Sequence, residues 1–359
     1  IRIANCLFLV RQEEKESDMK LIWYLLVKLY VRTGFSFYYK KVEVLGLENV
    51  PKKTAVLFVA NHQNALIDPL LLGAFLPRQL HFLTRADVFD KPLVRALLSS
   101  VNMLPIYRIR DGRDSLSKNE EVFQKCFKIL NSKGTVLIFP EGNHNIQRRV
   151  RNISKGFTRI VFGALDQYGD HELMVVPVGI NYTNARKYAS SVSLHIGEPI
   201  RANDYYQREK HTVSSTALKE EVRDRLKGLT THIEDLENYS YLESCFLEEE
   251  FLDPDTVNHK LEQPELLNPA DRNTAPDFNM LMPLVKVNSF FPLRIWNYLK
   301  PKISEEEFIS TYKFSVGLTA FPLFYVAQAW IIASFYGSGA AWIYFGVSLL
   351  SVWLLTKSR

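Results

Sequence analysis

Cysteine is scarce in this chain: Cys6, Cys126 and Cys245 are odd in number and far apart. That pattern fits neither a disulfide framework nor a cysteine metal site, and it points to a reducing, intracellular setting. A dominant charge is missing too. Lysine and arginine total 44 against 39 aspartates and glutamates, a net charge of +5 that is too small to argue for nucleic acid. No groove-reading motif, aromatic stacking repeat or zinc knuckle offers an alternative route to it. Internal repeats are absent. No methionine precedes Met19, so residues 1–18 are set aside as a non-native or disordered leader. No small-residue cleavage site follows Leu21–Val31, and that segment carries Lys28, which argues against a secretory signal.

Charge is also missing from two long stretches near the C-terminus, Phe314 to Ser334 and Gly339 to Thr356. A bilayer core asks for about 20 apolar residues per helix. Residues 306–359 therefore read as a two-helix transmembrane hairpin, with Trp330, Trp342, Tyr344 and Trp353 near its interfaces. Lys313 precedes the pair, Lys357 and Arg359 follow it, and the connection is uncharged. The positive-inside tendency then puts both ends, and everything upstream, on the cytoplasmic face. Residues 19–50 mix lysines and arginine with Trp23, Tyr24, Tyr30, Phe35, Phe37, Tyr38 and Tyr39. They read as an amphipathic helix lying in the membrane interface, its basic strip continued by Lys40, Lys41, Lys52 and Lys53.

Residues 51–240 alternate short apolar runs with helical patterns. Thr54–Ala60, Leu80–Arg85, Thr135–Pro140, Leu173–Tyr182 and Ser191–Ile200 read as strands. Ser117 with Glu120 forms a capping-box signature, followed by Val122, Cys126 and Ile129 at helical spacing and closed by Gly134. Ser154–Tyr168 reads as a second helix, and Asn203–Leu236 as one or two more. The expected class is α/β, a mixed and partly parallel sheet flanked by helices. Residues 241–305 carry Glu248, Glu249, Glu250, Asp253 and Asp255 and several prolines. They read as an extended, solvated acidic connector, with a membrane-apposed helix around Pro283–Leu299.

Four blocks carry chemistry. Asn61-His62-Gln63-Asn64-Ala65-Leu66-Ile67-Asp68-Pro69 puts an imidazole just after an apolar strand and a carboxylate shortly behind it. Such a carboxylate can hold one ring nitrogen protonated and leave the other free to accept a proton as a general base. The second block is Leu104-Pro105-Ile106-Tyr107-Arg108, the third Phe139-Pro140-Glu141-Gly142 followed by Asn143, and the fourth Val176-Pro177-Val178-Gly179. Nearby, His144 reads as a polar loop residue, and Arg148, Arg149 and Arg151 as a solvated basic patch.

This set, in this order and spacing, resembles the glycerophospholipid acyltransferase family, which includes the glycerol-3-phosphate and 1-acylglycerol-3-phosphate acyltransferases. The resemblance covers about residues 50–200 and extends to Lys155-Gly156. It implies an O-acyltransferase of phospholipid biosynthesis. His62 would take the proton of an acceptor hydroxyl as it attacks the thioester of acyl-CoA or an acyl carrier protein, and Asp68 would orient and charge-stabilise His62. It implies Arg108 as the first candidate for the acceptor's phosphate. Gly142 would let backbone N–H groups approach that phosphate, and Glu141 would orient an arginine or a glycerol hydroxyl. Asn143 stands where many relatives carry threonine or serine, and Pro177 would shape the acyl-chain side of the cleft. No cofactor and no metal are implied beyond the thioester co-substrate. The partners implied are a membrane and a phosphorylated glycerol or lysophospholipid acceptor.

One departure bears on geometry. Most members place four residues between the histidine and the aspartate, and here five intervene, as in a minority branch that includes fungal enzymes acylating glycerol-3-phosphate and dihydroxyacetone phosphate. Six helical steps rotate side chains by about 600°, leaving the two roughly 120° apart. His62 is therefore expected in the loop before the helix, or in an irregular turn. Other readings stay open at this point. The acceptor could be another lysophospholipid or dihydroxyacetone phosphate, and a non-catalytic membrane lipid-binding scaffold is the alternative of another class. A lipid hydrolase lacks the Gly-x-Ser-x-Gly elbow that would carry its nucleophile.

Overall fold

The computed structural model describes residues 2–107, 113–169, 171–271 and 279–358. Its organising element is a strand, Ala55–Ala60, in which every residue is buried. Alternate side chains of a strand face opposite ways. Here Val56, Phe58 and Ala60 enter one core while Ala55, Leu57 and Val59 enter another. A strand apolar on both faces belongs in the middle of a sheet covered on both sides.

Among the described residues that sheet has eight strands. They are β1 (Lys41–Leu45), β2 (Ala55–Ala60), β3 (His81–Arg85), β4 (Met103–Ile106), β5 (Thr135–Ile138), β6 (Leu173–Tyr182), β7 (Ser191–Ile196) and β8 (Ile200–Arg201). Their order is β1-β7-β6-β2-β5-β3-β4, with β8 also on β6. β2 pairs in parallel with β5 and β6, β3 with β4 and β5, and β1 with β7. β6 is antiparallel to β7 and β8. The sheet is mixed and mostly parallel, as the alternation of strands and helices predicts.

Pro177 sits in central strand β6, opposite Val59. β7 pairs with β6 from Val178 onward and β8 with Met174 and Val175, so Pro177 falls in the gap between the two partners. Its carbonyl faces that gap and accepts from Gly197 N–H at 2.9 Å. The missing proline N–H thus breaks no ladder bond.

One face is covered by α1 (Arg2–Tyr38) and α2 (Ile67–Phe75), and the other by α4 (Arg113–Asn131), α5 (Gly156–Tyr168) and α6 (His211–Leu229), with α3 (Pro92–Ser100) beside β4. Three expectations change here. Residues 19–50 are not only an interfacial helix: Tyr24, Val31, Phe35 and Tyr38 of α1 enter the sheet core, and Lys41–Leu45 is an edge strand, so the domain begins before residue 51. Ile22, Leu25, Leu26 and Leu29 of α1 stay exposed. The helix expected from Ser117 starts at Arg113.

The acidic connector is not extended. Its first half folds as α7 (Tyr239–Ser244) and α8 (Pro254–Leu261) around buried Phe246, Phe251 and Val257. Several of its acids are engaged: Glu248 accepts from Lys187 Nζ at 2.6 Å and from Asn184 at 3.1 Å, and Glu250 from Lys260 at 2.6 Å. Apolar residues between the acids, Phe246 and Phe251, supply the burial that charge counting overlooks.

α9 (Leu281–Asn288) and α10 (Phe290–Leu299) lead to the apolar helix α11 (Ile309–Lys357). α11 breaks at Gly337, where φ 83° and ψ 167° are not helical. Ser310 near its start bonds the Ala185 carbonyl, and Thr356 near its end bonds Tyr188 and the Phe37 carbonyl. Both ends therefore meet the same side of the sheet domain and the two arms run back on each other. At 1.5 Å per residue the first arm is about 42 Å long and the second about 30 Å, each enough to cross a bilayer core. Asn288 ties the arms together, bonding Ser348 (3.0 Å), Tyr344 (2.7 Å) and Gln328 (3.4 Å), while Ser289 bonds Tyr325 (2.6 Å). Such polar contacts hold helices together where apolar contact alone does not distinguish lipid from protein.

A close approach locks β6 to α6. A Cβ on Gly179 would lie 1.9 Å from the Leu229 carbonyl oxygen, which also accepts from Asn181 at 3.0 Å. Gly179→Ala should therefore lower the unfolding free energy by about 1–3 kcal/mol, the usual cost of overpacking. Denaturant unfolding of both proteins checks this, and equal midpoints would refute the contact.

Candidate active site

β2 ends at Ala60, and the chain then loops before α2 begins at Ile67. His62 lies in this loop and Asp68 in the first turn of the helix, so residues 63–66 complete the loop that the spacing calls for and Ile67 opens the helix. Amide side chains pin it. Asn61 donates to the Ile180 carbonyl (3.0 Å) and accepts from Ile180 N–H (2.7 Å), continuing the β2–β6 ladder with a side chain. Asn64 donates to the Ala185 carbonyl (2.7 Å) and Gln63 to the Gln147 carbonyl (3.0 Å).

The Asp68 side chain is fully buried. Its Oδ2 accepts from His62 Nδ1 at 2.8 Å, from Gln63 N–H at 2.8 Å and from Asn64 N–H at 2.7 Å. Its Oδ1 accepts from the Tyr182 hydroxyl. Burial and then the Asp68 charge push the Tyr182 phenol well above its ordinary range, so it stays a donor. A helix N-terminus further favours a carboxylate in the first turn. With Nδ1–H directed at Asp68, the lone pair of His62 is on Nε2, which has no hydrogen-bond partner among the described residues. The His62 side chain is 15% exposed. Phe139 stacks on its ring at 4.2 Å and 21°, fixing the plane of the imidazole. The geometry is that of an oriented, reachable base.

The third block closes under His62. Phe139 to Gly142 form a tight turn in which Gly142 N–H donates to the Phe139 carbonyl at 3.2 Å, and Gly142 takes φ 75°. That bond engages the one N–H of Gly142 itself, so the expectation that this glycine brings backbone donors to a phosphate does not extend to its own. Glu141 is almost wholly buried and pairs with Arg151, whose backbone N–H also donates to Glu141 at 3.2 Å. Burial raises the Glu141 carboxyl, and Arg151 opposes the shift. Arg151 also donates to the side chain and carbonyl of Asn143 and, at 3.5 Å, to the His62 carbonyl, which accepts from Asn145 N–H at 3.1 Å as well.

The basic patch is therefore no solvated patch. Arg151 is a strut between the third block and His62. Arg148 is buried, donates to the Tyr182 (2.5 Å) and Thr183 (2.7 Å) carbonyls, stacks on Phe251 at 3.7 Å and pairs with Glu243. Nor is His144 an ordinary loop residue. Its side chain is 8% exposed, it stands edge-on to His62 with centroids 5.6 Å apart, and burial lowers its pKa. His62, Asp68, Glu141 and Asn143 come together. Pro177 is buried in the sheet, outside this hydrogen-bonded cluster, and Arg108 lies outside the described residues. Sequence reasoning missed Tyr182, Phe139 as a stacking partner and Arg151 as a strut. Tyr182 carries no local signal, though it ends the strand that holds the fourth block.

Arg151→Met would leave the Glu141 carboxylate buried without its cation, a loss of about 3–5 kcal/mol of stability. Without Arg151 the folded-state pKa of Glu141 rises further above its unfolded value. The folded state then binds more protons than the unfolded one, and stability falls as pH rises through that interval. The difference from the parent protein should thus be smaller at pH 5 than at pH 8 in urea unfolding. A pH-independent difference would contradict the buried pair.

Comparison with known proteins bears on the same segment. A family model described as Acyltransferase matches residues 41–181. Glycerol-3-phosphate O-acyltransferase 2 of Saccharomyces cerevisiae is 29% identical over 132 residues, 35% of this chain and 18% of that protein. The 1-acyl-sn-glycerol-3-phosphate acyltransferase of Bacillus subtilis is 24% identical over 200 residues, 54% of this chain and 91% of that protein. The chain spans only 18% and 14% of the two yeast enzymes it matches. Among solved structures, the 1-acyl-sn-glycerophosphate acyltransferase PlsC of Thermotoga maritima aligns with a TM-score of 0.42 at 20% identity, covering 58% of this chain and 82% of that one. The matched residues run from edge strand β1 to near the end of β6 and enclose the His62–Asp68 pair and the Glu141 turn, so it is this segment that is similar to the Acyltransferase family and to glycerol-3-phosphate and 1-acylglycerol-3-phosphate acyltransferases.

Proposed function

We propose that this protein moves a fatty acyl group from a thioester, acyl-CoA or acyl carrier protein, to the hydroxyl of glycerol-3-phosphate or 1-acylglycerol-3-phosphate. The observation that carries this reading is the 2.8 Å contact between His62 Nδ1 and buried Asp68, with Nε2 left free. His62 Nε2 takes the hydroxyl proton as the oxygen attacks the thioester carbonyl. The C–S bond then breaks, and the departing sulfur takes the proton back from His62. Asp68 stabilises the imidazolium between the two steps without being protonated itself. A base placed in this way is worth about 10²–10⁴-fold, and holding donor and acceptor together adds to it.

The acceptor's phosphate needs cations, and Arg108 is assigned to it through the resemblance, because a guanidinium can grip phosphate with two parallel bonds. Glu141 acts through Arg151 rather than on the phosphate. The five-residue spacing supports glycerol-3-phosphate as acceptor alongside the lysophospholipid. The hairpin supports a membrane location. Lys313 and Lys357 at its two ends bond backbone carbonyls of the catalytic domain, to Arg186 at 2.9 Å and to Tyr39 and Lys40 at 2.8 Å. Positive charge at both ends supports a cytoplasmic face for that domain.

Purified protein with acyl-CoA or acyl carrier protein should release free thiol only when a phosphorylated acceptor is added, and release without acceptor would instead indicate a thioesterase. A panel of glycerol-3-phosphate, 1-acylglycerol-3-phosphate, dihydroxyacetone phosphate and other lysophospholipids identifies the acceptor. His62→Ala should cut turnover by about 10²–10⁴-fold with unchanged unfolding, since it removes a loop base. Retention of near-parental turnover would end its role.

Tyr182→Phe removes one donor from Asp68, making the carboxylate a stronger acceptor for His62 and stabilising the imidazolium. The acid limb of the pH–rate profile should then move to higher pH. An unmoved limb would show that Tyr182 does not act through the pair.

A further inference from the structure

The loop carrying Asn143 and His144 meets a turn from the far end of the chain. Glu306–Phe308 leads into α11, and the Phe308 ring stands edge-on to His144, centroids 4.9 Å apart. Glu306 turns away to pair with Arg186, Nη1 to Oε2 at 2.6 Å. Glu305 and Glu307 turn toward the imidazole, and with His144 they offer ligand atoms that all lie within 4.8 Å of one another. Among the described residues Glu307 is in no ion pair, and the 3.8 Å from His144 Nε2 to Glu305 Oε2 is too long for a hydrogen bond. Two carboxylates held this close repel unless a positive charge joins them.

A second observation is independent of the acids. His144 Nε2 is shut off from solvent and has no hydrogen-bond partner among the described residues, in a side chain only 8% exposed. A buried ring nitrogen aimed at two carboxylates and bonded to nothing calls for something between them.

We propose that His144, Glu305 and Glu307 bind a divalent cation beside the catalytic base. One imidazole nitrogen and two carboxylate oxygens form a donor set suited to Mn²⁺ or Zn²⁺. Ligands at about 2.0–2.2 Å from an ion stand about 3.0–3.5 Å apart, so the cluster must close by about an ångström. The Glu305 side chain, 57% exposed, is free to make that movement. Three protein ligands leave positions open for water or a phosphate oxygen. With the His62 and His144 rings 5.6 Å apart, the ion adjoins the place where the acceptor is to be held. This phosphate role rests on the acyltransferase reading, whereas cation binding does not.

The test uses the full chain in detergent, stripped with chelator and titrated with MnCl₂ while free Mn²⁺ is read by electron paramagnetic resonance. One saturable site per chain is expected. The double variant Glu305→Gln/Glu307→Gln, on a largely exposed turn, should weaken it by at least about tenfold with unchanged unfolding. His144→Asn should do the same, but the glutamine pair decides, because it leaves the buried ring in place. No saturable uptake, or equal uptake by the double variant, overturns the site. Chelation should then raise the KM for glycerol-3-phosphate severalfold. Transfer with an unchanged KM would remove the phosphate role, and absence of any transfer would remove the acyltransferase reading while leaving the binding result standing.

Discussion

A single buried carboxylate organises the site. Asp68 is cut off from water, and a buried polar group is costly unless its oxygens find donors. Three donors converge on one of its oxygens and a phenol on the other. Two of those donors are backbone N–H groups of Gln63 and Asn64, so the same bonds that keep the charge in place also shape the loop. His62 is then held by its own loop, by its partner acid and by the Phe139 ring. The orientation of His62 and the satisfaction of a buried carboxyl are one structural problem with one solution.

Around that ion, residues far apart in sequence act as struts. Arg151 joins the Glu141 turn to Asn143 and to the His62 carbonyl. Arg148 lies deeper, bonding the end of β6 and stacking on Phe251 of the segment that follows the sheet. Each guanidinium is held by several acceptors. Their planar forks suit several acceptors at once, which a lysine ammonium would meet less specifically.

The hairpin is built into the sheet domain rather than strung from it. Phe314 stacks on Phe35 at 4.4 Å, Thr311 accepts from Leu66 N–H in the His62 loop, and Thr356 reaches the Phe37 carbonyl. The turn before α11 brings Phe308 against His144. These contacts place the open side of His62 close to the base of the apolar arms.

Much was legible in the sequence because the signals are local. Alternating apolar runs and helical periods give the α/β class, charge-free stretches give the apolar arms, and the Asn61–Pro69 block holds the His62–Asp68 pair that the fold brings into contact. Even the loop position of His62 follows from counting residues against a helical turn. The missed elements have a common cause. Edge strand β1 looks half-polar because one side of it faces solvent, and the connector looks solvated because its acids outnumber the phenylalanines that bury it. Tyr182, Arg148, Arg151 and His144 owe their roles to partners many residues away, and burial is a property of the assembled fold. The chain's own order of residues decided which chemistry is available. Only the tertiary structure decided which side chains lose water, and with it which charges must find partners.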